Sequence, residues 1–271
     1  MTEWQKRVDR AVTRVRADDL YNGRAFDIAK KVARQTGENF YVLSAGLGLL
    51  SSDAQIPSYS LSVSLGNLDC ILNRAPDRAH FSAQQWWQAV HSAQGRCNPI
   101  DSLLRRRPNA LIVIAATRPY LDMISGEVAG LQDDLRTRLR LVGPKSVASL
   151  PPQLRSLVMP YDARLNDENL TLRGTEFDYP ARALAHFVDL VRRDKRIESI
   201  QHHADRVQSS LLLRCAPQRV VRRRIDDESL RQAIQIFRRD GLSRSRALEA
   251  LRNTMGLACE QQRFSNAWTI E

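Results

Sequence analysis

Two stretches of the sequence place small and polar residues straight after apolar runs, where an open α/β sheet presents its loops and helix N-termini to a ligand. They are Ser44-Ala45-Gly46-Leu47-Gly48-Leu49-Leu50 and Thr117-Arg118-Pro119-Tyr120. Facing one pocket, they could hold a planar base or a phosphate against backbone N–H groups, with Gly46 and Gly48 allowing close approach. The same pattern also suits ordinary strand-to-helix turns, because two glycines one residue apart are a weak signal.

Other groups could do chemistry but have competing readings. Cys70, His80, His91 and Cys97 fall in one stretch, yet nine, ten and five intervening residues match no usual zinc spacing. The sequence therefore calls for no metal and no cofactor, and each cysteine reads first as a small buried hydrophobe. Trp86 and Trp87 would point about 100° apart on a helix, so at most one faces the core fully. The other is left to pack on a neighbour or to stack on an extruded base. His202-His203 reads as a solvated helix face. Asp178 reads as the cap of a helix opening at Tyr179, although Arg173 and Gly174 just before it also suit phosphate.

These residues need elements to hold them. Apolar periodicity predicts an amphipathic helix from Trp4 to Arg16 and a second helix running to about Gln35 and closing at Gly37. Phe40 to Leu43 reads as a buried strand, and Ser82 to Ala93 as a helix. Ala110 to Ala116, apolar on both faces, reads as a central strand of a parallel sheet. Leu139 to Val142 and Ser156 to Met159 are shorter strand candidates, and Tyr179 to Val191 is a helix. Alternating strand and helix predict an α/β fold, a mixed and largely parallel sheet flanked by helices. From Pro217 the pattern changes to three helical stretches broken at Gly241 and Gly256, a small C-terminal helical module. The expected domains are residues 1–215 and 216–271.

Charge narrows the partner. Of 271 residues, 41 are Lys or Arg and 30 Asp or Glu, a net charge of +11 dominated by arginine. Arginine's planar fork suits phosphate oxygens and base edges. In the C-terminal module Arg219, Arg222, Arg223 and Arg224 precede a helix carrying Arg244, Arg246 and Arg252 opposite its apolar face, which predicts DNA-phosphate contacts. A solvated basic helix packed on the main domain is the alternative. No apolar run approaches the ~18 residues of a membrane helix, so no membrane is expected. With four dispersed cysteines and no apolar leader, the expected compartment is the cytoplasm.

A resemblance sharpens these expectations. Leu20-Tyr21-Asn22-Gly23 with Arg24, then Leu43 to Leu50, then Pro57-Ser58-Tyr59 resemble the tyrosine-glycine, serine-x-x-x-glycine-leucine and proline-x-tyrosine series of the YaaA-like superfamily. The superfamily's commoner motif has an aromatic residue where Leu47 stands. Within it, the length, basic charge and C-terminal extension look most like the DpdC family of the bacterial 7-deazaguanine DNA-modification (restriction-modification) system. That resemblance implies a YaaA-like catalytic domain whose reaction is nitrile hydration: a 7-cyano-7-deazaguanine already in DNA becomes the 7-amido base. It also implies DNA, and other proteins of the modification cluster, as partners. Nitrile hydration needs an activated nucleophile at carbon and a donor at nitrogen. The candidate catalytic residues are Tyr21 or Ser44 as donor, Arg24 as fixed cation, Asp53 or Glu176 as base, and Tyr59. Cys70 or Cys97 offers a thiolate route. Gly23, Ala45, Gly46, Gly48 and Thr117 are the candidate substrate-binding residues. Two alternatives stand beside this enzyme: a DNA-binding stress-response protein without turnover, and a base-excising, glycosylase-like enzyme.

Overall fold

A computed structural model describes the chain except residues 1, 39, 76–79, 149, 168–173, 218–220 and 271. It divides into two compact units, Met1–Pro217 and Gln218–Glu271. The first is a mixed α/β unit.

Its opening helix α1 (Thr2–Arg10) ends six residues earlier than the periodicity predicts, because Val15–Arg16 (β1) pairs antiparallel with Gln55–Ile56. A short helix α2 (Ala17–Leu20) leads to α3 (Arg24–Thr36). Next, Tyr41–Ser44 (β2) folds back on Gly48–Ser51 (β3) as an antiparallel hairpin, and Gln55–Ile56 forms β4. The run through Leu43 therefore does not enter a parallel sheet, since its hydrogen bonds go to the strand that follows it. Helix α4 (Ala83–Ser92) starts with a capping box in which Ser82 and Gln85 satisfy each other's backbone N–H.

Helix α5 (Pro99–Arg106) precedes β5 (Ile112–Ala115), and α6 (Arg118–Ala129) follows it. After the short α7 (Asp133–Arg136), β6 (Leu139–Val142) pairs parallel with β5, and a bridge from Leu141 to Val158 adds a third parallel segment. Among the described residues the strands pair in two-stranded sheets, so the expected single, largely parallel sheet is not formed. After α8 (Pro152–Arg155) come α9 (Tyr179–Val191) and α10 (Ile200–Leu212). Leu139, Leu141, Leu121 and Ile124 fill the core between β6 and α6, and Phe187, Val207 and Leu211 fill a second core against α9 and α10. No helix among the described residues is long and apolar enough to cross a membrane.

Two sequence expectations are corrected in these cores. Trp86 and Trp87 are both buried, because α4 packs on α6 on one side and on β3 on the other. Trp87 donates to Glu127 at 2.7 Å, and Trp86 donates to the Ala45 carbonyl at 2.5 Å. His203 is buried rather than solvated: its Nδ1 accepts from Arg140 Nε at 2.9 Å. Arg140 is itself fully buried and gives its remaining hydrogen bonds to the carbonyls of Thr137, Leu139 and Glu198.

In the second unit Arg223–Arg224 (β7) pairs parallel with Leu257–Ala258 (β8), and three helices surround a small core. These are α11 (Asp227–Arg239), α12 (Arg244–Asn253) and α13 (Gln261–Ile270), with Ile234, Leu251 and Phe264 at the centre.

Candidate active site

Ser44, the last residue of β2, is buried and accepts the Leu47 N–H at 2.9 Å. Its hydroxyl also bonds the Tyr59 hydroxyl, and Tyr59 in turn bonds Tyr21 at 2.5 Å. Three hydroxyls from three separate segments thus form one unbroken chain. Burial, with Tyr59 beside it, pushes the Tyr21 phenol far above its ordinary value, and Tyr120 is raised for the same reasons. Both phenols therefore keep their protons and serve as neutral donors.

This chain opens onto a cavity of about 1090 Å³ lined by α3, β2, β5 and α9. The carboxyl ends of β2 and β5, Ser44-Ala45 and Ala116-Thr117, line it together with Tyr21, Tyr59 and Tyr120. Ala29, Val32, Val113, Leu184 and Val188 make its middle apolar. Charge gathers toward the amino ends of the strands, where Glu38, Arg107, Arg192, Asp194, Lys195 and Arg196 line the wall.

Several predicted residues lie elsewhere. Gly46 and Gly48 do not admit a ligand, because the protein's own side chains occupy the space a Cβ would need. At Gly46 a Cβ would meet Trp4 at 2.7 Å and Tyr59 at 2.8 Å, and at Gly48 it would run into the His91 ring. The turn is clamped as well: Trp4 Nε1 donates to the Gly46 carbonyl at 2.7 Å, and Leu49 N–H donates to His91 Nε2 at 3.0 Å. Burial holds His91 neutral, with its Nδ1 directed at the Trp87 carbonyl.

Arg24 is paired with buried Asp178 at 3.1 Å and does not line the cavity. Asp178 occupies the cap position of α9 without capping it; its carboxylate takes Arg182 at 2.8 Å and the Thr175 N–H at 2.9 Å instead. Gly23 is the exposed N-cap residue of α3. Asp53 lies beyond the far end of the β2–β3 hairpin, roughly 10 Å of strand from Ser44. It is exposed, and the Ser51 hydroxyl holds its carboxyl below the ordinary range. Glu176 is exposed and paired with Lys145 at 2.5 Å. Cys70 is buried and Cys97 exposed, and neither lines the cavity. Among the described residues no three His, Cys, Asp or Glu side chains gather as a metal site would require.

The structure thus brings together Tyr21, Ser44, Ala45, Tyr59 and Thr117, and separates Arg24, Asp53 and Gly23 from them, while Gly46 packs against Trp4 and Tyr59 and Gly48 against His91, leaving neither open to a ligand. From sequence, Tyr120 entered only as the end of the Thr117 stretch and Trp4 only as the start of the opening helix. Their only signal was aromatic character, one beside the Thr117 turn and the other on an amphipathic helix.

In the second unit Arg223, Arg224, Arg244 and Arg246 are exposed, whereas Arg222 and Arg252 are half-buried and hydrogen-bonded to backbone. Arg219 lies outside the described residues.

Residues 7–142, half of the chain and nearly all of the hydroxyl-lined end, match the family of unknown function DUF6884, and the chain belongs to that family. No curated protein and no solved structure matches it.

Proposed function

We propose that the chain is a DNA base-modifying enzyme that hydrates the nitrile of 7-cyano-7-deazaguanine in DNA to the amide, 7-amido-7-deazaguanine. The observation that carries this reading is the Tyr21–Tyr59–Ser44 hydroxyl chain at the mouth of an apolar cleft that a flat heterocycle would fit. A nitrile in that mouth needs a proton at nitrogen as water adds to carbon. A bonded row of neutral hydroxyls can carry both jobs: the attacking water gives its proton to one end of the row, and the other end gives one to the nitrile nitrogen. One C–O and one N–H bond form, and the resulting imidic acid tautomerises to the amide, so no charged base is needed. A base inside a duplex must be extruded, or presented in a single strand, to reach such a cleft. The basic wall at the other end would hold flanking phosphates, and the exposed arginines of the second unit are read separately as a DNA-binding module.

The test is incubation of the protein with DNA containing the cyano base, followed by digestion and nucleoside mass analysis. A gain of one water is expected; an unchanged nucleoside would sink the reading, and release of a free base would indicate excision.

One observation favours a second reading, DNA binding without turnover. Among the described residues no carboxylate and no open imidazole lines the hydroxyl end of the cleft. That reading expects DNA affinity to survive Ser44→Ala and Tyr59→Phe unchanged and no product to form.

A further inference from the structure

We propose that the second unit contains a preformed seat for a single phosphate group, built from Arg222, Arg224, Arg252 and Arg263. These four arginines line an open cavity of about 710 Å³ together with Val221, Ala258, Cys259 and Glu260. What marks it as a site is how the arginines are held. Arg222 donates through Nε to the Arg252 carbonyl at 2.7 Å and through Nη2 to Asn253 Oδ1 at 3.0 Å. Arg252 donates through Nε and Nη2 to the Cys259 carbonyl, the shorter bond being 2.7 Å. Both guanidinium groups are therefore fixed in place by neutral acceptors, so their charge is oriented but not cancelled, and each keeps N–H groups free. Arg263 is fixed by the Ile225 carbonyl at 2.8 Å and by Asp227, which does offset its charge.

Arg224 completes the wall, and its side chain makes no hydrogen bond or ion pair with any described residue. It sits on β7 next to Arg223, and successive strand residues point to opposite faces. Only Arg224 of the two lines the cavity. Against these cations the lining holds one carboxylate, Glu260. A tetrahedral oxyanion is the ligand this arrangement suits, because guanidinium forks bind phosphate oxygens in pairs, and prior fixing of Arg222, Arg252 and Arg263 lowers the ordering cost of binding. The phosphate can come from a polynucleotide backbone or from a terminal phosphomonoester. The proposal rests on the DNA reading only for that source, not for the chemistry of the cavity.

The experiment uses the full chain and a matched pair of variants, Arg224→Ala and Arg223→Ala, which remove the same charge from inside and outside the cavity. Binding is measured by calorimetry with inorganic phosphate and by anisotropy with one oligonucleotide carrying either a 5′-phosphate or a 5′-hydroxyl. Phosphate binding is expected for the wild type and for Arg223→Ala and should be lost in Arg224→Ala. Oligonucleotide Kd should rise about tenfold in Arg224→Ala, with the salt slope falling by about one, and about twofold or less in Arg223→Ala. A preference for the 5′-phosphate that disappears in Arg224→Ala assigns the seat to a monoester; equal, Arg224-dependent affinity for both ends assigns it to the backbone. Equal weakening by the two variants, or phosphate binding that survives Arg224→Ala, overturns the proposal. If the oligonucleotide binds but phosphate does not, the seat is wrong and the DNA reading stands; the reverse result leaves the seat and removes the DNA.

Discussion

The imidazole of His91 stands in the space that a Cβ on Gly48 would occupy, and it accepts the N–H of the next residue, Leu49, at 3.0 Å. Gly48 also has a φ of +79°, in the left-handed region. The pair explains why the turn after Ser44 carries a glycine there. It does not admit a ligand; it makes room for a buried histidine from α4, which in turn fixes β3, the strand paired with the one bearing Ser44.

Gly48→Ala should therefore combine backbone strain with displacement of a buried ring, about 3 kcal/mol in all. In a His91→Ala background only the strain remains, about 1 kcal/mol. Urea denaturation of the four proteins of this cycle checks it. Equal costs in both backgrounds would show that His91 does not set the requirement for glycine.

Acid should destabilise the first unit through buried His91 and His203 and half-buried His186. Burial lowers His91, and lowers His186 and His203 to about 4. His186 is held neutral between the Tyr161 hydroxyl and Ser210 Oγ, each at 2.9 Å. In the unfolded chain a histidine titrates near 6.5. As pH falls below that value the unfolded state takes up protons that the native state refuses, so stability drops from about pH 6.5 toward 4. Stability measured from pH 7.5 to 5 should decline, and His186→Gln should shallow the slope; a flat profile would contradict the assignment.

Glu127 accepts from Trp87 Nε1 at 2.7 Å and from the backbone N–H of Ile100 and Asp101 at 2.5 and 3.1 Å, tying α4, α5 and α6 together. Burial pushes its carboxyl up despite these three donors. Glu127→Ala strands all three donors in the core and should cost about 3 kcal/mol or more. Glu127→Gln keeps an acceptor and should cost clearly less. Thermal melts of the two variants discriminate, and equal losses would mean that the hydrogen bonds are not what matters.

If the proposed reaction is correct, Tyr59→Phe breaks the hydroxyl row at its centre and should lower turnover at least about a hundredfold, with Ser44→Ala of similar size. Asp53→Asn, at the other end of the hairpin, should leave turnover unchanged. Arg24→Gln loses only a half-exposed ion pair to Asp178 and should cost no more than about 1 kcal/mol of stability. Single-turnover kinetics on cyano-base DNA would read the first three, and urea denaturation the fourth. A large loss from Asp53→Asn would return that carboxylate to the chemistry.

Much of the local structure was legible in the sequence. The 3.6-residue periodicity of α3 and α9 and the apolar run of β5 report a buried face directly, because they depend on residues within one or two turns of each other. The clustering of arginine in the second unit and the hydroxyl types at Tyr21, Ser44 and Tyr59 were equally plain. Tertiary structure alone decided which of these meet. Tyr21 and Tyr59 are 38 positions apart, and Leu49 lies 42 from His91, so no local pattern encodes either contact. The partner of β2, the burial of His203 beside Arg140 and the filling of the space at Gly46 by Trp4 likewise follow from how helices and hairpins pack. A strand's period shows that it pairs, but long-range packing selects its neighbour and determines whether a glycine's space goes to a ligand or to the protein's own core.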